Sequence, residues 1–209
     1  MRTPVHTTPE TGSPLTKGEL TRRSVLDAAI ERFGRDGYRS TSVAEIARDA
    51  GVGSTVAYTY FPNKEALFLA AVDEDAAAAI HESIGAVFLR AEVKDWRLSL
   101  VMHMVEAIDH HPLARRLLAG LEPDVTGRVL ETPALGELRR LCAGRLREEQ
   151  TAGTVRHDID PELVGNGMVA ILLSLLMSVV QLGTDSTLVY ADHVVAVFDA
   201  ALDPIITDP

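Results

Sequence analysis

Residues 41–64 read TSVAEIARDAGVGSTVAYTYFPNK. Ser42 and Glu45 have the spacing of a capping box, which starts a helix, and the apolar residues that follow recur at helical spacing. Gly51 then ends that helix, because glycine adopts the left-handed backbone conformation at little cost. A second short helix follows over 54–60, and Pro62 ends it. Two short helices joined by a tight turn are typical of a helix-turn-helix, which indicates a sequence-specific DNA-binding protein.

The residue types of the second helix support this interpretation. Its outer positions carry small hydroxylated side chains at Ser54, Thr55 and Thr59. Short polar side chains let a helix approach base edges, and hydroxyl groups suit phosphates and bases. Asn63 can cap the next helix and leaves Lys64 in its first turn. A cation is unfavourable for the helix dipole there, which suggests that its charge serves an outside anion such as phosphate.

The preceding segment predicts a third helix that supports the motif. Residues 21–35 place four apolar side chains on one stripe, and Gly37 closes the helix. The stripe consists of Leu26, Ala29, Ile30 and Phe33.

Three pieces of this region resemble a known family in order and spacing. They read RRSVLDAAIERFGRDGY, TSVAEIARDAGV and AYTYFPNKEALF. They are similar to the DNA-binding domain of TetR-type (tetracycline-repressor-like) transcriptional regulators over about residues 20–70. The resemblance implies an all-α homodimer, a palindromic double-stranded DNA operator and a small-molecule effector that releases the DNA.

The resemblance also implies roles for particular positions. Phosphate contacts would fall on Thr41, Ser42, Tyr60 and Lys64. Base-reading contacts would fall on Ser54, Thr55, Tyr58 and Thr59.

The sequence departs from the family pattern at three neighbouring positions. Thr55 and Val56 stand where many relatives carry Gly-Thr, so one expected hydroxyl moves by a residue. Ala57 replaces a larger aliphatic residue, so packing beneath the recognition helix is expected to be looser. The operator sequence therefore does not transfer from relatives.

The same sequence features have alternative interpretations. A two-helix corner with a glycine also occurs in ordinary packing, where Tyr58 and Tyr60 would be structural. A helical ligand-binding or protein-interaction module without operator binding is the alternative function. The sequence contains no nucleophile elbow, phosphate-binding glycine loop or zinc spacing, so we expect no enzyme activity, metal or cofactor.

The charge distribution separates a head from a body. The 209 residues carry a formal net charge of -10. Residues 15–64 contain eight basic and six acidic side chains, whereas residues 65–209 contain eleven basic and twenty-three acidic ones. A mildly basic head would face DNA while the acidic body is repelled by it. We predict an all-α fold: a disordered tail over 1–18, a three-helix DNA-binding domain over 19–66, and a helical ligand-binding and dimerisation domain over 67–209.

The single cysteine and the N-terminal residues both favour a cytoplasmic location. Cys142 is the one cysteine, so no disulfide forms within the chain, which fits a reducing cytoplasm. Its helical position is more typical of a small core residue than of a redox sensor. Residues 1–20 lack the apolar core of a signal peptide.

An uncharged stretch, Met168–Leu182, raises the possibility of a membrane span. We consider it too short, because about 20 apolar residues are needed. A helix that is apolar all round is instead buried on several sides. We predict that helices over about 161–182 and 186–202 form a symmetric four-helix homodimer interface, with a purely internal core helix as the alternative.

The effector site is predicted from one helix within 94–111. Trp96, Leu100 and His103 recur on one face, and Met104 lies on the neighbouring face. An aromatic wall, an adaptable methionine and one convergent polar group suit a small, mostly apolar effector. An ordinary core or surface histidine is the competing interpretation for His103.

Overall fold

The computed structural model describes residues 16–89, 95–183 and 189–204, and the regular secondary structure in these ranges is entirely helical. Ten α-helices and one 3₁₀ helix follow one another in the described ranges. They are α1 Lys17–Ser40, α2 Val43–Asp49, α3 Ser54–Tyr60, α4 Lys64–Val87, α5 Trp96–His110, α6 Pro112–Leu118, α7 Pro123–Thr126, the 3₁₀ helix Gly127–Glu131, α8 Pro133–Thr151, α9 Pro161–Leu182 and α10 Val189–Leu202.

Local sequence signals determine the start of each head helix. Ser42 forms a capping box with Glu45: its hydroxyl accepts a hydrogen bond from the Glu45 amide, and its own amide donates to the Glu45 carboxylate. Gly51 has a φ of 70° at the turn between α2 and α3. Only glycine adopts that conformation without strain, so the turn that sets the angle between the two helices depends on it.

The first helix starts earlier and ends later than predicted. Thr16 caps α1 through a capping box with Glu19, so Lys17 and Gly18 are helical although the tail was expected to reach residue 18. Residues 1–15 lie outside the described residues. Gly37 was predicted to close the helix; its φ of 81° instead interrupts α1, which continues to Ser40.

Helix α4 belongs to two hydrophobic cores. Its first half contributes Leu67, Phe68 and Val72 to the core of the head, where the Phe68 ring lies 5.0 Å from that of Phe33. Its second half contributes to the core of the body. The head therefore continues past the predicted boundary at residue 66, because one 24-residue helix crosses it without a break.

Three short helices follow α5. Pro112 begins the helix α6, and α7 and the 3₁₀ helix come after it. Proline fits there because the first helical position needs no backbone N–H.

Helix α9 is 22 residues long and extends the uncharged stretch Met168–Leu182 by seven residues at its start, among them Glu162. By length and composition it is the one described helix that could cross a bilayer. It packs closely on α8: a Cβ on Gly165 would lie 3.0 Å from the Ala143 backbone nitrogen. Only 39% of its most apolar window is buried within one chain, so much apolar surface stays uncovered.

Candidate DNA-binding face and ligand cavity

Helix α3 presents the base-reading candidates to the outside. Thr55, Tyr58 and Thr59 are exposed, with half of the Tyr58 surface accessible, and Ser54 is half-buried. The Thr59 hydroxyl donates to the Thr55 carbonyl, 3.1 Å away, within its own helix. Ala57 faces inward and is fully buried, so α3 is held by a small contact and projects its polar face.

The phosphate candidates at the start of α2 differ in accessibility. Ser42 is exposed, although its hydroxyl also donates to Glu45. Thr41 is only 3% exposed, and its hydroxyl donates to the Gly37 carbonyl, 2.9 Å away. The Thr41 hydroxyl therefore has a partner within α1, whereas the Ser42 hydroxyl is accessible; the phosphate contact of Thr41 stays a prediction.

The remaining two phosphate candidates flank the turn between α3 and α4. Tyr60 is half-buried, and the Lys64 ammonium lies 4.4 Å from the centroid of the Tyr38 ring. The Asn63 side chain accepts a 2.8 Å hydrogen bond from the Ala66 amide, so it caps α4 as predicted. Together these contacts hold Lys64 at the first turn of α4, beside the end of α3.

Acidic side chains neutralise part of the head's positive charge. Arg32 lies within 4 Å of Asp36, Glu45 and Asp49, and it donates a 2.6 Å hydrogen bond to Asp49. That hydrogen bond lowers the pKa of the Asp49 carboxyl, so the pair stays charged at neutral pH. Arg32 is therefore engaged within the head and is not free for DNA.

Sequence analysis did not single out Arg22, which lies close to α3. Its guanidinium is 5.1 Å from the centroid of the Phe61 ring, directly after the recognition helix. A Cβ on Gly18 of the same helix would lie 3.5 Å from the Tyr60 hydroxyl, so the start of α1 and the end of α3 are neighbours. The sequence gives only a weak signal for a role of Arg22 in DNA binding, because the folding of α1 against α3 is what brings this residue close to the recognition helix.

The body contains an apolar cavity of about 150 Å³. Helices α4, α5, α6 and α9 and the 3₁₀ helix form its wall. No residue of that lining has a polar side chain. The lining consists of Ala76, Ala79, Ile80, Met104, Ile108, Ala114, Leu117, Leu118, Gly127, Leu130, Leu173, Leu176 and Met177.

Known proteins match the head and much of the rest of the chain. Residues 25–71 match the family described as bacterial regulatory proteins, tetR family. The HTH-type transcriptional regulator BetI of Brucella canis is 33% identical over 147 residues, which cover 60% of this chain and 74% of BetI. The chain belongs to the TetR family.

Two further matches agree with this assignment. The regulator YuxN of Bacillus subtilis is 44% identical over 45 residues, which cover 22% of this chain but only 16% of YuxN. The crystal structure of a TetR-family regulator from Mesorhizobium loti is 22% identical, covers 90% of this chain and 100% of that one, and superposes with a TM-score of 0.73. This TetR-family chain is therefore a transcriptional regulator that binds DNA through its helix-turn-helix.

The four residues predicted to bind effector do not meet in one place in this TetR-family regulator. Met104 lines the apolar cavity. Trp96 lines a separate crevice of about 220 Å³, and its indole N–H donates to Glu149. Leu100 borders a pocket of about 20 Å³, and the ring Nδ1 of His103 lies 2.8 Å from the Ser99 carbonyl oxygen of its own helix. The four predicted residues therefore lie in four different surroundings.

A buried carboxylate near the cavity was missed. Asp75 on α4 is 3% exposed, and it accepts hydrogen bonds from the amides of Leu113 and Ala114, which lie in the first turn of α6. Its Oδ1 lies 2.8 Å from Nδ1 of His111. The signal was present, since Asp75 falls in helical register with the buried Val72. His111 thus contacts α4 through Asp75.

The described part of the regulator shows no cluster suited to a metal ion, and its cysteine is buried. Over residues 16–89, 95–183 and 189–204 no three His, Cys, Asp or Glu side chains are arranged so that they could hold a metal ion. Cys142 is fully buried, and burial raises the pKa of its thiol to about 12. The thiol therefore stays protonated at neutral pH, which matches the structural role expected for it.

Proposed function

We propose that this TetR-family protein is a repressor that binds a palindromic operator as a homodimer and releases it when a small, mostly apolar effector enters the body. In this proposal α1, α2, α3 and the first turns of α4 form the reading head. The remaining helices bind effector and the second subunit. Because it acts on DNA in a bacterial type of regulator, we place it in the cytoplasm.

The exposed face of α3 supports the DNA-binding part of the proposal. Thr55, Tyr58 and Thr59 are accessible and recur at helical spacing on α3. Arg22 lies near Phe61 at the end of α3, Lys64 starts the next helix, and Ser42 is exposed at the start of α2. Each subunit would place α3 in a major groove, with half-sites about one helical turn apart, roughly 34–36 Å, or a multiple of it. The modest head charge implies weak, salt-sensitive binding to non-specific DNA.

Uncovered apolar surface supports the homodimer. On α9, Leu163 is 72% exposed and Ile171 is 44% exposed, while Val197 on α10 is 68% exposed. Serines lie among these residues and bond back to their own helix, as in the hydrogen bond from Ser174 to the Ala170 carbonyl. Apolar surface of this extent, with polar demands met internally, fits a self-complementary interface between two copies.

Leu117 carries the effector-release part of the proposal. It is 1% exposed, packs in the hydrophobic core of the head, and also lines the apolar cavity of the body. A ligand that fills the cavity therefore touches a residue of the head core directly. Effector binding favours a different head position only if the ligand binds the two states with different affinity.

The approach of α6 to α1 makes this contact sensitive to displacement. A Cβ on Gly34 would lie 2.7 Å from Cβ of Pro112 and 2.9 Å from its carbonyl carbon. The two helices therefore touch with no slack, and a shift of α6 moves α1.

The proposal is tested with DNA from upstream of the protein's own coding sequence. We expect a retarded complex at physiological salt that forms at far lower protein concentration than on unrelated DNA of the same length. We also expect Tyr58→Ala to lose this preference while remaining helical and dimeric. A protein that binds both DNAs equally would instead be a helical ligand-binding or protein-interaction module without operator binding.

A further inference from the structure

The 3₁₀ helix Gly127–Glu131 separates two compartments of different chemistry. A 3₁₀ helix has three residues per turn, so residues three apart share a side. Gly127 and Leu130 line the apolar cavity, whereas Arg128 and Glu131 line a surface groove of about 610 Å³. The segment is therefore a thin partition with one apolar and one charged side.

Helix α4 forms the opposite wall of both compartments. Ala76 and Ile80 line the cavity, and the next residues along the chain, Ala77 and His81, line the groove. The cavity and the groove are therefore adjacent, and a molecule that reaches past the partition occupies both.

The cavity accepts only an apolar group of limited size. No polar side chain lines it, and burial of a polar group without a hydrogen-bond partner is costly. Its volume of about 150 Å³ lies below the roughly 300–1,000 Å³ that is common for ligand pockets. Any polar part of an effector, and any length beyond this volume, must stay in the groove.

The groove already holds one carboxylate on a guanidinium. Nε of Arg128 donates to Oδ1 of Asp73 at 2.8 Å, and its NH2 group donates to Oδ2 at 2.7 Å. Both side chains are more than 40% exposed, so the pair is open to competition from solution. An arginine fork matches any planar oxyanion in the same way, which makes Asp73 an internal stand-in for a ligand carboxylate.

We propose that the effector is a linear amphiphile with an oxyanion head, whose alkyl chain enters the apolar cavity and whose head takes the place of Asp73 on Arg128. This inference rests on the proposed effector-released function and specifies its ligand class. Exchange of the two carboxylates removes the tie between α4 and the 3₁₀ helix. Effector binding thereby loosens the segment that follows α6, on the same wall that contains Leu117.

The other charged side chains of the groove also affect how well it binds the ligand's oxyanion. His81 lies 3.3 Å from Glu137, and Arg140 also lines the groove. Glu131 and Glu137 repel an anion, so affinity depends on the bidentate contact with Arg128 more than on the overall potential. The two hydrogen bonds from the Arg128 guanidinium therefore determine the affinity for the oxyanion.

Calorimetric titration of the purified full-length protein, without DNA, tests whether the alkyl chain of the ligand enters the cavity. The probes are straight-chain alkyl carboxylates from hexanoate to tetradecanoate, with the alcohol and trimethylammonium compounds of equal chain length. We expect carboxylate affinity to rise about fourfold per methylene and then level off once the cavity is full. Affinity that is independent of chain length, or tighter binding of the trimethylammonium series, overturns the proposal.

Two variants with opposite expected effects on carboxylate affinity test the contact between the ligand's oxyanion and Arg128. Arg128→Gln should weaken carboxylate binding about tenfold and leave alcohol binding unchanged, whereas Asp73→Asn should strengthen carboxylate binding. Arg147→Gln is the matched control, because Arg147 is an exposed arginine that pairs with Glu162 on another surface. Equal carboxylate affinity in wild type and Arg128→Gln, with both folded by circular dichroism, contradicts the assignment.

The results distinguish failure of the proposed ligand class from failure of the proposed repressor function. A protein that binds its operator but no alkyl carboxylate retains the proposed DNA binding and loses this ligand class. A protein that binds carboxylates as described but no operator keeps the site and loses the repressor proposal.

Discussion

Oδ2 of Asp75 on α4 accepts a hydrogen bond of 2.8 Å from the backbone amide of Ala114 in the first turn of α6. The amide of Leu113 donates to the same oxygen at 2.9 Å. A helix cannot satisfy its first amides by itself, and a carboxylate there also complements the helix dipole. This contact fixes α6, which touches both the head core and the cavity, to α4.

We therefore expect Asp75→Ala to lower the free energy of unfolding by about 3 kcal/mol, because it leaves the buried amides of Leu113 and Ala114, and Nδ1 of His111, without their partner. Urea denaturation at fixed protein concentration measures it. Asp109→Ala removes an exposed carboxylate from α5 and should change the midpoint little. Equal midpoints for the two variants would contradict the role given to Asp75.

Gly34→Ala should destabilise the protein, although alanine normally stabilises a helix interior by about 1 kcal/mol relative to glycine. The new Cβ would lie within 3 Å of Pro112 and force α1 away from α6. Gly144→Ala on α8 is the matched control, since its Cβ meets nothing within 4 Å. In thermal unfolding, the midpoint temperature should be lower for Gly34→Ala and higher for Gly144→Ala than for wild type. A higher midpoint for both variants would contradict this, because it would show that α1 and α6 have room to adjust.

Lys64→Ala and Thr59→Ala should affect DNA binding in different ways. Loss of a phosphate contact should weaken binding to all sequences and reduce the salt slope by about 0.9, whereas loss of a base contact should mainly change sequence preference. Fluorescence anisotropy titrations at several salt concentrations separate the two. If both variants bind the operator like wild type, the placement of the DNA-binding face is wrong.

The head was predictable because its signals are local. Ser42 with Glu45, Gly51 and Asn63 each act within a few residues, so their caps and turn follow from the sequence. The burial of the Thr41 hydroxyl was not predictable, because a hydroxyl next to a motif carries no local signal for the direction it faces.

The cavity was not predictable, because its wall comes from five separate segments. Periodicity on α5 identified a face, but it does not say what packs against each residue. The Trp96 indole meets Glu149, which is 53 positions away and has no local signature. Met104, assigned to the core side of α5, is the predicted ligand residue that reaches the cavity.

Ile171→Arg should convert the dimer into monomers without unfolding the chain, because the side chain is exposed in the single subunit. Met102 on α5 has the same exposed fraction, 44%, but lies off the proposed interface. Met102→Arg should therefore leave the dimer intact. Sedimentation equilibrium measures both, and a monomeric wild type or a dimeric Ile171→Arg would place the interface elsewhere.

Cys142 should make stability fall with rising pH above about 9. The unfolded thiol ionises near its usual pKa of 9.0, whereas burial holds the folded pKa near 12. Between these values the unfolded state loses its proton first, so this contribution to stability is complete below pH 9 and declines above it. Denaturation of wild type and Cys142→Ala from about pH 8 to about pH 10 tests this; parallel pH profiles would contradict it.

Selection of DNA from a random duplex pool tests the central claim most directly. The purified protein binds the pool at physiological salt, and the enriched duplex is titrated by fluorescence anisotropy with wild type and Tyr58→Ala. The account predicts enrichment of a two-fold symmetric sequence, bound by two protomers, with the preference lost in Tyr58→Ala. A pool that remains random, or an enriched site that Tyr58→Ala binds with wild-type affinity and preference, would contradict the account.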